Sequence, residues 1–203
     1  MKKLIFVGIT VLTFGVTSAQ DVNFGVKGGL NVTTLTGDIE DLDPKIGFHV
    51  GGFAEIKLNE KFAIQPELLF STQGAKAEYF DDFDGFNVKV EENLKLNYIN
   101  LPIMAKYFIT EKFNIQAGPQ VSFLMSAKNE VTYSFEGESD SEEFDIKDDT
   151  KAIDFGFNLG LGYSFTDKLF AEARYNFGLS SIPDDSDVDV KNAVFQVSFG
   201  YRF

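Results

Sequence analysis

Two short acidic segments carry the residue type that binds hard metal ions. Their carboxylates belong to Asp81, Asp82, Asp84, Asp185, Asp187 and Asp189. Clustered or alternating carboxylate oxygens are ligands that Ca²⁺ prefers, but neither segment has the full twelve-residue calcium loop with its terminal bidentate Glu. Two interpretations therefore stay open. The segments form either a solvated acidic surface or sites for a divalent cation such as Ca²⁺, and no other cofactor is expected.

A second set of charged residues lies inside strongly apolar, alternating stretches of the chain. It consists of Lys27, Glu55, Glu67, Lys106, Glu172, Arg174 and Arg202. All seven fall on the small and polar side of the alternation. Charges in a protein interior persist only when they are paired and hydrogen-bonded. We therefore predict an interior ion-pair network in which the three Glu residues face the four bases. The alternative is a charged, ion-selective pore.

His49 is the only histidine in the sequence. No Ser-centred motif lies at a recognisable spacing from it, and one His cannot build a metal site alone. We interpret it as a structural histidine, on the inward face of the second strand near its outer end. The sequence thus predicts no catalytic residues and no enzymatic activity.

The elements that position these residues are strands with a two-residue period. Between residues 154 and 165 every odd position is Phe, Leu or Tyr, while the even positions are mainly Gly, Asn, Asp and Ser. Successive strand residues point to opposite faces, so one face is apolar and the other small or polar. The pattern recurs over residues 169–179 and 195–203. Such long strands, with a polar face rich in Gly and Asn, favour a curved barrel interior over the wet face of a soluble sandwich.

Three short turns are near copies of one another, at residues 58–62, 109–113 and 165–169. Four long polar segments alternate with them and hold 23 of the 31 acidic residues; they span residues 34–45, 76–95, 128–151 and 181–191. Short turns that alternate with long loops are typical of outer-membrane barrels, with the turns in the periplasm and the loops outside. We predict an all-β, eight-stranded antiparallel up-and-down transmembrane β-barrel with both termini periplasmic. Its strands span residues 22–33, 46–58, 62–75, 96–109, 113–127, 152–165, 169–180 and 192–203.

The beginning of the chain predicts export. Residues 1–19 combine Lys2 and Lys3, an apolar run and a small-residue cleavage site, which indicates a signal peptide ahead of a barrel domain over residues 20–203. Removal of the two lysines would change the formal net charge from −13 to −15. A field of that sign repels nucleic acid. The absence of cysteine excludes disulfides and lipoprotein acylation.

The last strand ends in aromatic residues on one face, namely Phe199, Tyr201 and Phe203. A terminal Phe that closes an alternating strand resembles the signal read by barrel-insertion machinery. We therefore expect that machinery to be a partner.

Several segments resemble the PorT-like outer-membrane β-barrel (porin family) proteins of Bacteroidetes. They are residues 24–31, 98–107 and 116–120, and Pro102, Lys106 and Tyr107 form the most specific part. The resemblance covers essentially the whole mature chain. It implies the barrel fold and the outer-membrane location. The namesake of the family assists a dedicated secretion system, so the resemblance also implies an assembly role in protein secretion as an alternative function.

Together these patterns predict a monomeric, non-enzymatic barrel with a structural or surface-interaction role. An eight-stranded ring is just wide enough for side chains to fill it, which favours a plugged interior over a narrow porin for small solutes. The expected partners are outer-membrane lipid and lipopolysaccharide, and a surface or periplasmic protein. Residues 131–135 alternate, so strands five and six are expected to extend past the membrane as a hairpin whose edge can capture a peptide or protein by strand addition.

Overall fold

The computed structural model describes residues 22–39, 42–83, 86–135, 138–184 and 189–203. The expected signal peptide over residues 1–19 lies outside the described residues, as do Asp84, Asp185 and Asp187. In the described part of the chain, no helix is long and apolar enough to cross a membrane. The described strands are β1 (Val22–Gly37), β2 (Asp43–Lys57), β3 (Phe62–Gln73), β4 (Ala75–Phe83), β5 (Phe86–Phe108), β6 (Phe113–Phe135), β7 (Glu138–Asp145), β8 (Ile153–Ser164), β9 (Leu169–Gly178) and β10 (Val190–Arg202).

Eight of these strands close into a ring of antiparallel neighbours, in the order β1, β2, β3, β5, β6, β8, β9 and β10. The ring closes where β10 pairs with β1. This pairing runs from Gly25 opposite Arg202 to Gly37 opposite Val190. The predicted fold, an eight-stranded antiparallel up-and-down barrel, is confirmed.

The three copied turns share one hydrogen-bond pattern. In each, the first backbone N–H donates to the carbonyl oxygen of the fifth residue at 2.9 Å. The side-chain oxygens of Asn59, Thr110 and Thr166 each accept bonds from two further backbone N–H groups. Such local bonds explain why short polar residues occupy the second turn position. We call this end of the barrel the turn end and the opposite end the hairpin end.

The segment 76–95 is not the long loop that the sequence predicts. After Gln73, Gly74 adopts a φ of +129°, and the chain continues as β4, which pairs with the first part of β5. The predicted extension around residues 131–135 is present, because β6 continues to Phe135 and pairs with β7. Strands β4, β5, β6 and β7 thus form a four-stranded sheet beyond the ring, which we call the extension sheet. At 3.3 Å per residue it projects about 30 Å.

The outward face of the ring is apolar. On β8 the alternate residues from Phe155 to Tyr163 are 38–52 % exposed, while the side chains between them face the interior. Phe199, Tyr201 and Phe203 also point outward. A continuous apolar belt around a barrel with a polar interior is stable against lipid rather than water.

The interior ring of Phe170, at the turn end, leaves no space for a side chain at Gly200. Phe53 and Phe170 stack edge to face with centroids 5.4 Å apart. A Cβ at Gly200 would lie 2.1 Å from Cζ of Phe170, whereas a Cβ at Gly52 would lie 3.6 Å from its nearest neighbour. Overpacking of this kind costs about 1–3 kcal/mol. We predict that Gly200→Ala lowers the free energy of unfolding, measured by urea titration in lipid vesicles, and that Gly52→Ala changes it much less. Equal losses in the two variants would contradict this packing.

Candidate functional site

The seven interior charges predicted from the sequence lie together in the turn half of the barrel. They come from six strands of the ring, and none of the seven residues is more than 7 % exposed. Alternation along each strand turns these side chains inward, and ring closure brings the six strands around one narrow space. We call this group the interior charge network.

Arg174 is the centre of the interior charge network. Its guanidinium makes a bidentate contact with the Glu67 carboxylate, with N–O distances of 2.8 and 2.6 Å. It also donates a hydrogen bond of 2.7 Å to Glu172. Gln116 accepts another bond from the same guanidinium at 2.9 Å. Lys27 contacts the two carboxylates of Glu67 and Glu172 at 2.7 and 3.1 Å. Bidentate, fully desolvated contacts of this type hold both partners in one geometry.

The network continues toward the turn end through Glu55. Lys106 lies 2.9 Å from Glu172 and 3.2 Å from Glu55, and Arg202 lies 3.3 Å from Glu55. Four bases and three carboxylates are therefore linked without a break. At the turn end, Glu55 and Arg202 line a polar cavity of about 260 Å³. The ion pairs form the inner boundary of that cavity.

The ring of Phe170 completes the network, and it is not among the site residues predicted from the sequence. The Lys106 amine lies 5.4 Å and the Arg202 guanidinium 4.5 Å from the centroid of the Phe170 ring. Such cation–π contacts are strongest where water is excluded. Leu169 and Phe170 are adjacent apolar residues, so composition alone does not show which one points inward. The position of Glu172 and Arg174 on the same face is the signal that identifies Phe170.

His49 lies in the middle of the barrel, paired with Gly29 and Ser71, and not near the outer end of its strand. Its Nδ1 lies 2.7 Å from Oδ1 of Asn31, and its Nε2 lies 2.7 Å from Oγ of Ser198. The order Ser, His, Asn resembles a catalytic triad. All three residues are at most 1 % exposed, so no substrate reaches the Ser hydroxyl in this structure. The arrangement is that of a structural histidine with both ring nitrogens bonded.

An apolar cluster fills the hairpin end of the barrel, and the sequence did not predict it. Its buried members are Leu35, Ala75, Leu96, Tyr98, Leu124, Ala127, Ile182 and Val190. Beneath it, Asn192 donates to Asp154 at 2.9 Å. These apolar residues come from the ends of the predicted strands and from the predicted polar loops. Only the three-dimensional arrangement brings them together over the mouth of the ring.

The acidic segments carry no assembled metal site in the part of the chain that the structure describes. There, no group of three or more His, Cys, Asp or Glu residues is placed to hold a metal ion. Oδ2 of Asp189 accepts a bond of 2.6 Å from Lys191. Asp81 and Asp82 lie on β4, and the other three members of the predicted set lie outside the described residues. Divalent-cation binding therefore stays a prediction.

Comparisons with known proteins agree with this architecture. A family model described as "Outer membrane protein beta-barrel domain" matches residues 18–184. Among solved structures, the chain is similar to Ail of Yersinia pestis, solved in complex with the heparin analogue sucrose octasulfate, with 15 % identity and a TM-score of 0.50 over 90 % of this chain and 99 % of that chain. It is also similar to Neisserial surface protein A, with 12 % identity, a TM-score of 0.50 and the same two coverages. At these identities the likeness shows the fold. No curated protein matches the sequence.

Removal of Glu67 tests how far the interior charges depend on one another. Glu67→Ala leaves Arg174 and Lys27 buried with one shared carboxylate instead of two. Breaking a buried pair from one side costs about 3–5 kcal/mol. We therefore predict a large loss in the free energy of unfolding, measured by guanidinium titration, and only a small loss for Glu143→Ala on the exposed part of β7. Similar losses for the two variants would show that the buried pairs contribute no more than surface ones.

Proposed function

The chain belongs to the family of outer membrane protein beta-barrel domains, and we propose that it is a non-enzymatic barrel with a sealed interior that displays a surface-interaction sheet. In this proposal the turn end and both termini face the periplasm, the extension sheet lies outside the cell, and residues 1–19 are the export signal. Phe199, Tyr201 and Phe203 serve in recognition by the insertion machinery. Lipid and lipopolysaccharide surround the monomeric barrel.

The observation that carries the proposal is the continuous filling of the interior. The interior charge network occupies the turn half, bonded polar side chains such as His49 and Asn31 occupy the middle, and the apolar cluster closes the hairpin end. An eight-stranded ring leaves no room for a water column beside such side chains. This filling supports a scaffold over a narrow porin.

The extension sheet is the part of the molecule that is available to a partner. Within the described residues, β4 pairs along most of its length only with β5, and β7 pairs only with β6. Residues 131–135 lie between β5 and β7, so the open edges are those of β4 and β7 and not that of β6. Open edges accept further strands through main-chain hydrogen bonds. An edge of this kind supports a role in binding proteins at the surface.

The charge of the extension sheet argues against polyanionic ligands. β7 alone carries Glu138, Asp140, Glu142, Glu143 and Asp145, all exposed. The sulfated sugar bound by Ail is a polyanion. The acidic surface of β7 would repel such a ligand, because like charges repel one another. We therefore propose a partner with basic groups.

Electrical measurements distinguish the scaffold from a porin. We predict that the intact barrel in planar bilayers gives no discrete conductance steps, because its interior is filled, and that Glu67→Ala is equally silent while being less stable. A large-pore porin prepared in the same detergent serves as the positive control. Ohmic steps from the intact barrel would contradict the scaffold proposal and favour a narrow porin.

Shortening the hairpins tests the surface role. In the trimmed barrel, residues 77–92 and 129–144 are each replaced by an Asn-Gly turn, which suits a two-residue hairpin connection. We predict that the trimmed barrel keeps the heat-modifiable gel mobility of a folded barrel and loses capture of surface proteins from intact cells. If it captured the same proteins as the full chain, the surface role of the sheet would be wrong.

A further inference from the structure

The two faces of the extension sheet differ in chemistry. The inner face continues the interior face of the ring, since it follows the row that contains buried Leu96 and Ala127. Its cross-strand rows are Tyr79–Val90–Tyr133–Asp140, Ala77–Glu92–Val131–Glu142 and Leu94–Asn129–Phe144, and the pairs Asp81–Val88 and Phe135–Glu138 lie farther along the same face. The outer face holds the residues between them. Each face can therefore be assigned from the register.

On the outer face, most acids are paired with lysines. All four lysines of the extension sheet lie there, namely Lys76, Lys89, Lys95 and Lys128. Lys89 contacts Glu78 and Glu91 at 3.0 and 2.9 Å. Lys95 contacts Glu130 and Glu143 at 3.1 Å each, and Lys128 contacts Glu143 at 2.5 Å. The hydrogen bond from Lys128 holds the pKa of Glu143 below its usual range. These pairs engage Glu78, Glu91, Glu130 and Glu143 within the protein.

Among the described residues, the inner face has acids and no bases. Its carboxylates belong to Asp81, Glu92, Glu138, Asp140 and Glu142. In the described part of the chain no Lys or Arg pairs with any of them. Glu92 accepts bonds from the Tyr79 hydroxyl at 2.8 Å and from the Asn129 amide at 3.2 Å. Its carboxylate is thus held in place while its charge is left uncompensated.

The same face is apolar and concave. Val90 and Val131 are buried between side chains of neighbouring strands, while Tyr79, Tyr133 and Phe144 are 45–47 % exposed. Two cavities of about 370 Å³ each open along it. One lies beside Val90 and Tyr133, and the other lies beside Leu94 and Ile146. Exposed aromatic rings beside concave apolar surface are typical of binding sites.

We propose that the inner face of the extension sheet binds a basic amphipathic helix of a protein partner. The inference rests on the proposed surface role and names the chemistry of the partner. Apolar residues of the helix would cover the two tyrosines and Phe144, and its Lys or Arg residues would reach the inner-face carboxylates. Four outer-face acids already have lysine partners, whereas no described inner-face acid has one. Charge complementarity therefore selects the inner face.

The dimensions of the face suit one helix. Four strands at about 4.8 Å spacing present a surface about 14 Å wide, and a helix with its side chains is about 10 Å across. The acids lie around the apolar residues and beside the exposed edge of β7. A helix with one apolar face and flanking basic residues complements both the apolar residues and the acids, as in other helix-in-groove complexes.

The test uses the full barrel in phosphatidylcholine nanodiscs and a fluorescent 18-residue helix of Leu and Lys with Leu at helical spacing. Empty nanodiscs give the background. We expect Glu92→Gln to weaken binding about two- to five-fold, the range for one exposed charge pair. Glu91→Gln removes the same charge from the adjacent outer-face residue and should leave binding unchanged. Tyr133→Ala should weaken binding, and Thr132→Ala on the outer face should not.

Two control peptides separate charge from shape. A scrambled Leu/Lys peptide of the same composition, and a helix with Glu in place of Lys, should both bind much more weakly. Equal effects of Glu91→Gln and Glu92→Gln, or equal binding of the scrambled peptide, would overturn the inner-face proposal. If the basic helix does not bind but the trimmed barrel still loses its surface partners, this inference fails while the surface role stands. All variants are first checked for the gel mobility of a folded barrel.

Discussion

A strand in the hydrocarbon of a membrane must have every backbone N–H and C=O bonded to a neighbouring strand. That constraint requires the pairing of β10 with β1, which closes the ring. Closure at eight strands makes the interior narrow, and a narrow interior leaves its charged side chains no water. Arg174 can then be stable only in contact with Glu67 and Glu172. The interior charge network is thus a consequence of closure.

In the function that we propose, the filled interior leaves binding to the part of the chain outside the ring. β5 and β6 are each 23 residues long and continue past their ring neighbours, where β4 and β7 pair with them. The interior face of the ring continues directly into the inner face of the extension sheet. Apolar side chains that close the hairpin end are therefore continuous with the surface that we propose for a partner. The stability of the barrel and the shape of its binding surface share the same strands.

Acidic residues in this chain have two different roles that composition does not separate. Glu91 and Glu92 are neighbours in sequence, yet Glu91 is paired with Lys89 on one face and Glu92 stands among tyrosine and valine on the other. The net charge of −13 counts these two residues equally. Only an acid without a basic partner in the protein is available to a basic ligand. The distribution of lysines between the two faces therefore matters more than the total charge.

Local periodicity was enough to determine the fold and the inward direction of each interior charge. Alternation depends only on neighbours in the chain, so Lys27, Glu67 and Arg174 could be placed on the inward face, and the three copied turns gave the strand count. The tertiary structure decided which charges meet. Lys27 and Glu172 are 145 residues apart in sequence, and their contact depends on ring closure. The tertiary structure also decided the central depth of His49, the assembly of the apolar cluster and the pairing of β4. Each of these depends on the register between strands, and the sequence of one strand alone does not specify that register.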